Sequence, residues 1–245
     1  MVIASLIAAF ARRAPSEKPQ PWYKDRQLSD WLAMCRPGEG PWDTGGEAEL
    51  AVRSIGTNAL PFLLEWIRYE LPPWRQKVLK LATWPVQGKP FYEGKIVYGQ
   101  SLILGKSTRL AELVELGFVI LNSNAIPAIP DLERLMKDNQ KPVVGLRAIY
   151  ALGAIGGPAI TALTNALADT KQSNRIEIMH ALCGAERESP YYYGSACHGA
   201  ALPAVTQALK DPDPSIRRQA SVTLYNITTV TPELLRALHA PAPPR

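Results

Sequence analysis

The sequence is short of the residue types that carry most nucleophilic and zinc chemistry, with three cysteines and three histidines in 245 residues. So few cysteines, in an odd number, argue against a disulfide scaffold, and we expect reduced thiols. His180 and Cys183 lie one helical turn apart and Cys197-His198 follow. This spacing matches no standard zinc module, and no orienting or oxyanion group accompanies a thiol–imidazole pair. We therefore predict no catalytic residue, no metal site and no cofactor.

Concentrated charge is also missing, and so are the common phosphate-binding and hydrolase motifs. The net charge is +5, but no run of lysine and arginine exceeds two residues. No glycine-rich phosphate loop, His-Glu-x-x-His or Gly-x-Ser-x-Gly motif occurs. A basic block that would bind nucleic acid by itself is therefore absent from the sequence, and any cationic surface must be assembled by the fold.

The sequence does contain a short motif that is repeated four times, each time at the predicted start of a helix. Its anchor positions are separated by 69, 31 and 42 residues, of which the last two are single repeat lengths and the first is about two. A period of this size predicts a helical solenoid. The anchors are Leu60, Ile129, Ile160 and Leu202.

Prolines mark where these helices begin. Proline is tolerated in the first turn of a helix, where its missing N–H has no intrahelical partner, so Pro61, Pro130 and Pro203 each predict a helix start. Apolar residues follow each anchor at spacings of three and four, as expected for one buried face. An upstream helix precedes each start, which gives a helix–turn–helix unit. The predicted upstream helices are Glu47–Ile55, Thr108–Leu121, Val143–Ile155 and Asn174–Cys183.

Several of these segments resemble HEAT repeats. The run 211–220, Asp-Pro-Asp-Pro-Ser-Ile-Arg-Arg-Gln-Ala, is similar to the inter-repeat turn and first helix of a HEAT unit, and 141–148 is a looser copy. The phrase at 55–61 and the lead-in at 23–32 resemble segments of bacterial HEAT proteins of the phycobilin-lyase-like subgroup. The resemblance covers residues 47–70 and 108–239. It implies an all-α protein, an α-α superhelix that acts by protein–protein contact, and it carries over no catalytic residues.

The predicted organisation is one elongated domain between two tails. Residues 1–21 form an apolar segment and a linker, residues 22–239 the solenoid, and residues 240–245 a disordered tail. All six tryptophans lie in the first 84 residues. They predict a cap that covers the end of the stack, or alternatively a pocket lined by Trp66, Trp74 and Trp84. The predicted parts are a cap at 22–46 and repeats at about 47–84, 108–138, 141–170, 173–210 and 214–239.

Two insertions interrupt the repeats. Residues 85–106 combine glycines with Phe91, Tyr92 and Tyr98, which predicts either a small hairpin, with strands at 96–98 and 102–104, or a long loop packed on the solenoid. The second insertion, at 185–199, contains three adjacent tyrosines that cannot all be buried, so we predict that they contact a partner. They are Tyr191, Tyr192 and Tyr193.

The second helices of the repeats predict a binding face. Eight positions after the anchor the residues are Arg68, Lys137, Ala168 and Lys210, and five positions after it they are Glu65, Arg134, Asn165 and Gln207. Second helices line the concave face in HEAT-like solenoids. These cations are expected at a solvated helix end beside the negative pole of its own dipole. If they bind a partner, acidic proteins are favoured over nucleic acid, and the resemblance to HEAT repeats implies a protein. The alternatives are a nucleic-acid-binding solenoid that resembles alkylpurine DNA glycosylases and a subunit that resembles bilin lyases.

The first ten residues leave the location of the protein open between cytoplasmic and exported or membrane-anchored. Met1–Phe10 is apolar but too short to span a bilayer, and its positive charges follow it at Arg12-Arg13 instead of preceding it. Ala9-Phe10-Ala11 has the small-residue pattern of a cleavage site. A cleaved signal, a truncated anchor and a capping helix within residues 1–11 are all consistent with this pattern.

Overall fold

The computed structural model confirms an all-α protein. It describes residues 18–35, 46–77, 93–138, 140–183 and 199–238, and 77% of these residues are helical. Residues 1–17, 36–45, 78–92, 139, 184–198 and 239–245 lie outside the described residues. They include most of the predicted N-terminal segment, the tyrosine insertion up to residue 198 and the predicted C-terminal tail.

The described chain begins with a small hairpin that the sequence did not predict. Strand β1 (Trp22–Tyr23) pairs antiparallel with β2 (Arg26–Gln27), with Trp22 opposite Gln27 and Tyr23 opposite Arg26. Helix α1 (Leu28–Met34) follows directly. The Nε1 of Trp31 donates to the carbonyl of Tyr23 at 3.1 Å, which ties the hairpin to α1.

Nine further helices follow along the described residues, three of them preceded by a 3₁₀ segment. The 3₁₀ segments are Gly56–Ala59 before α3, Asn122–Ala128 before α5 and Gly199–Ala201 before α9, and residues 73–77 are also helical. The helices are α2 (Glu47–Ile55), α3 (Leu60–Trp66), α4 (Glu93–Leu121), α5 (Ile129–Met136), α6 (Pro142–Ile155), α7 (Pro158–Ala168), α8 (Arg175–Cys183), α9 (Leu202–Ala208) and α10 (Pro214–Leu238).

The helix starts marked by proline are confirmed. Pro61, Pro130 and Pro203 each occupy the first turn of a helix. Helices α2 and α6 each end at a glycine, Gly56 at φ +60° and Gly156 at φ +63°. Residues other than glycine rarely adopt such angles, which explains the glycine at both turns.

The prediction of a hairpin or loop up to residue 106 is wrong from residue 93 onward. Helix α4 begins at Glu93 and continues to Leu121, so both predicted strands lie within it. The preference of isoleucine and valine for strands depends on their surroundings. An established helix, by contrast, gains one backbone hydrogen bond for each residue added. Helix α4 therefore extends well beyond the predicted start at Thr108.

The helices pack in the order of the chain, in two sets. The first helices α2, α4, α6, α8 and α10 each contact the next one in this series. The second helices α3, α5, α7 and α9 each pack on the first helix that follows, on α4, α6, α8 and α10 respectively. Helix α7 also contacts α9, and α1 packs on α2 and α4. Each unit therefore rests mainly on its neighbours in sequence.

Helix α6 lies at the centre of the core. It contacts α4, α5, α7 and α8, which explains why its sequence is apolar except for Arg147. Ala148, Ile149 and Leu152 are fully buried there. At Gly153 an added Cβ would lie 2.9 Å from the carbonyl oxygen of Ala181, so α6 and α8 approach as closely as they do because residue 153 has no side chain.

The tryptophans in the described part of the chain differ in how deeply they are buried. Trp31 is buried in the core and Trp66 is half-buried against it, whereas Trp22 and Trp74 are 60% and 52% exposed. Trp42 and Trp84 lie outside the described residues. Among the predicted cap tryptophans that are described, Trp31 is the one that fills the core.

One helical run has the length and composition of a membrane span. It covers Lys106–Met136, with a mean hydropathy of 1.4 in its most apolar window, and 56% of that window is buried inside the fold. The core helix of a folded domain has the same properties, and α4 is packed against α2, α3 and α6. The run is therefore weak evidence for a membrane location.

A candidate binding face on the second helices

The seven described residues predicted to form a binding face are all exposed. We call them the second-helix face. They lie off the buried stripe of each helix, which in the first unit consists of Leu60, Leu63 and Ile67. The face consists of Glu65, Arg68, Arg134, Lys137, Asn165, Gln207 and Lys210.

Arg68 and Arg134 share one carboxylate. The Nη2 of Arg68, in the turn after α3, lies 4.0 Å from Oδ1 of Asp131, and the Nη2 of Arg134 donates to the same oxygen. Asp131 lies in the first turn of α5, where the helix dipole favours a negative charge. This aspartate was not predicted as part of the face. Its spacing of three residues from Arg134 is the signal that could have identified it.

Glu65 is also paired. The Nζ of Lys18 lies 3.4 Å from Oε2 of Glu65. The segment that carries Lys18 is held in place at Gln20, whose buried side-chain oxygen accepts from the amide of Ser29 at 2.9 Å. Residues 18–20, predicted as part of a linker, therefore contact both α1 and α3.

The remaining face residues are less compensated. Lys137 and Lys210 are exposed, and neither forms an ion pair within the part of the chain that the structure describes. Both lie just after the C-terminal end of a short helix, where a cation is favourable next to the dipole. Asn165 and Gln207 add neutral polar groups, and Ala168 interrupts the cationic column.

A different set of polar side chains caps the C-terminal ends of the second helices, where backbone carbonyls lack intrahelical donors. Arg147 donates to the carbonyls of Tyr69 at 2.6 Å and Ile67 at 3.3 Å. Gln172 donates to Met136 at 3.2 Å, Arg175 Nε to Leu167 at 2.9 Å, and Arg217 to Asp211 at 2.7 Å. A side-chain donor of this kind therefore caps the backbone carbonyls that follow each of α3, α5, α7 and α9.

Arg175 and Asp211 form a buried ion pair at this capped edge. Their side chains are 9% and 6% exposed, and Nη2 of Arg175 donates to Oδ2 of Asp211. The hydrogen bond from the Arg175 guanidinium is the main reason why the pKa of the Asp211 carboxyl lies below its ordinary value. Hydrogen bonds from the hydroxyl and amide of Ser215 likewise lower the pKa of Asp213.

Two cavities have linings that include no residue of the second-helix face. One, of about 470 Å³, lies beside the buried pair. Its lining includes positively and negatively charged residues, such as Lys171 and Asp213. The other, of about 200 Å³, lies between α1 and α4 beside Asp30 and Arg109. Their linings combine cations with anions, so neither has a single charge that selects a ligand.

The histidine and cysteine residues considered as metal ligands lie partly outside the described residues. Within residues 18–35, 46–77, 93–138, 140–183 and 199–238, no group of three or more histidine, cysteine and acidic side chains is placed to hold a metal ion. The side chain of Cys183, the pair Cys197-His198 and the contact candidates Tyr191, Tyr192 and Tyr193 lie outside the described residues. The thiol of Cys35 is free, and burial raises its pKa to about 11, so it is a poor nucleophile at neutral pH.

Comparison with known proteins gives no relative from which a function could be inferred. No family model, no curated protein and no solved structure matches the chain.

Proposed function

We propose that this protein is a HEAT-like α-solenoid that binds another protein along its second-helix face and has no catalysis of its own. The chain-order packing of first and second helices supports a solenoid, because each unit contacts mainly its neighbours in sequence. The repeat phrases and the resemblance of 211–220 to a HEAT unit support it from the sequence.

The observation that carries the proposal is the mixed charge of the second-helix face. Cations are exposed at 68, 134, 137 and 210, but Asp131 pairs with the first two and Glu65 adds another carboxylate. A surface with both signs fits a protein with complementary charges, since such patterns set specificity and association rate more than affinity. We therefore propose a polar interface of moderate affinity, with acidic groups on the partner opposite the lysines.

A nucleic-acid-binding solenoid is the second candidate, favoured by the uncompensated Lys137 and Lys210. A phosphate backbone would be neutralised by a continuous cationic stripe, and Arg68 would be the third member. Asp131 and Ala168 interrupt that stripe, which is why a protein partner is preferred.

Affinity capture with two charge-reversed variants tests the proposal. One variant carries Arg68→Glu, Lys137→Glu and Lys210→Glu on the second-helix face. The matched control carries Arg53→Glu, Lys171→Glu and Arg218→Glu, three exposed cations on α2, the α7–α8 turn and α10. We expect a protein that is captured from the native cell by the wild type and the control but lost with the face variant.

Two results would count against this function. Equal capture by all three proteins would place the interface elsewhere. Binding of an oligonucleotide at low salt that the face variant alone abolishes would favour the nucleic-acid alternative.

A further inference from the structure

We propose that Arg68 and Arg134 form a carboxylate-binding site that is occupied by Asp131 in the free protein, and that an acidic side chain of the partner replaces it. The inference rests on the proposed function, because it names the chemical group that the second-helix face recognises. It concerns the part of that face where the turn after α3 meets helix α5.

Few donors of the two guanidinium groups are engaged within the described part of the chain; besides the contacts with Asp131, the Nε of Arg134 donates to the carbonyl of Pro130 at 3.5 Å. Both arginines approach the same oxygen of Asp131, one as a hydrogen bond and the other at 4.0 Å. A guanidinium carries five N–H donors in a planar fork that matches a carboxylate. Two cations therefore share one anion, with one positive charge in excess and several donors directed elsewhere.

The exposure of the three side chains makes replacement feasible. Arg134 is 76% exposed, Arg68 49% and Asp131 34%. Exposed ion pairs contribute little, because water screens them and holding long side chains in place costs entropy. Asp131 therefore competes only weakly for the two arginines. It prevents weak ligands from binding there, but a carboxylate that the rest of the interface holds in place can displace it.

The two arginines come from neighbouring units of the stack, 66 positions apart in the chain. The backbone of Arg68 is fixed by its amide, which donates to the carbonyl of Glu65 at 3.3 Å. Arg134 extends from the last turn of α5. A carboxylate bound between them would contact two units at once, so the site requires the folded stack.

The test compares the binding of a fluorescein-labelled, glutamate-rich peptide to Asp131→Asn and to Glu65→Gln, followed by fluorescence anisotropy. Both substitutions remove one negative charge from the same face, but Glu65 is paired with Lys18 and not with an arginine. We expect Asp131→Asn to bind the peptide about two to five times more tightly than the wild type, which corresponds to the loss of an exposed competing pair. Glu65→Gln should show a smaller rise.

A third variant distinguishes the bidentate hydrogen-bonding geometry of arginine from its positive charge. Arg134→Lys in the Asp131→Asn background keeps the positive charge but cannot bind a carboxylate with two parallel hydrogen bonds. It should lose most of the gain in affinity. Helix content and melting temperature, measured for each variant, ensure that folded proteins are compared.

Three results would overturn the inference. One is an equal rise for Asp131→Asn and Glu65→Gln, which would be a general effect of net charge. Another is the absence of peptide binding to Asp131→Asn. The third is a gain seen for an oligonucleotide and not for the peptide. The capture experiment can succeed in each of these cases, so the failure of this site is distinguishable from failure of the proposed function.

Discussion

Two arginine–aspartate contacts of this protein use the same chemistry in opposite surroundings. The pair of Arg175 with Asp211 is buried at the capped edge of the stack, and both partners make further hydrogen bonds to backbone groups. Asp131 and its two arginines are exposed between α3 and α5. Removing one partner of the buried pair leaves the other charge buried and unpaired, whereas the exposed pair can be exchanged for a ligand. Burial, and not residue type, separates the structural contact from the candidate binding site.

The largest expected difference between the two contacts is in stability. Asp211→Ala leaves the Arg175 guanidinium buried without its counter-ion, which should lower the free energy of unfolding by about 3–5 kcal/mol. Asp131→Ala should lower it by about 1 kcal/mol or less, because its arginines remain solvated. Urea denaturation followed by circular dichroism measures both values.

A double variant controls for the buried charge. Arg175→Met combined with Asp211→Leu removes both charges and should be more stable than Asp211→Ala alone, since a buried pair can often be replaced by apolar residues at little cost. Similar losses for Asp211→Ala and Asp131→Ala would remove the distinction drawn here between the two contacts.

The close contact between α6 and α8 should also be destabilised by a larger side chain. Gly153→Ala places a methyl group 2.9 Å from the Ala181 carbonyl oxygen and 3.1 Å from its Cβ, so α6 and α8 must separate. Overpacking of this kind costs about 1–3 kcal/mol, only partly offset by the better helix propensity of alanine.

Gly117→Ala is the matched comparison within the same kind of helix contact. Its added methyl group would meet the Cδ atoms of Leu63 at 2.7 and 3.0 Å, but these are the ends of a flexible side chain that can move. We expect a smaller fall in melting temperature than for Gly153→Ala. The reverse order would mean that the α3–α4 contact is the more rigid of the two.

The buried pair also predicts how stability depends on pH. The pKa of the Asp211 carboxyl is lowered in the folded protein, mainly by the hydrogen bond from Arg175. The stability gained from the ionised form is therefore fully present above the unfolded pKa of about 3.9 and is lost as the pH falls through the lower folded pKa.

Asp211→Asn tests this dependence, because its amide does not titrate. The wild type should lose free energy of unfolding below about pH 4 more steeply than the variant, as measured by urea titrations at a series of acidic pH values. The lowered pKa of Asp213 should leave some acid sensitivity in both proteins. Parallel curves would show that the Asp211 pair makes no pH-dependent contribution.

The sequence predicted those parts of the fold that depend on local constraints. Pro61, Pro130 and Pro203 fix helix starts because the missing N–H and the fixed φ act within one turn. The start of α4 at Glu93 was missed, because strand-forming residues and glycines in this segment point locally to another structure. Tertiary packing and helix propagation decide such cases.

The exposure of the second-helix face could be predicted from the sequence, but its ion pairing could not. The exposure of all seven described face residues followed from their position relative to the buried stripe. The role of Asp131 as a shared counter-ion did not, since its contact with Arg68 joins two units that are distant in the chain. The capping contacts of Arg147 and Arg175 were also missed, because their acceptors lie in the turn after α3 and near the end of α7, outside the helix that carries each arginine.

The smallest expected effect belongs to the exposed contact and completes the comparison. Arg134→Gln removes one of the two arginines from Asp131, yet Arg68 remains within 4.0 Å of that carboxylate. The free energy of unfolding should therefore change by less than about 1 kcal/mol at moderate ionic strength. High salt should reduce even this difference, because the contact is open to counter-ions, whereas the cost of Asp211→Ala should persist in salt. A loss in Arg134→Gln that is as large as that of Asp211→Ala and independent of salt would make Arg134 a structural residue, and Asp131 could then no longer be regarded as an exchangeable ligand.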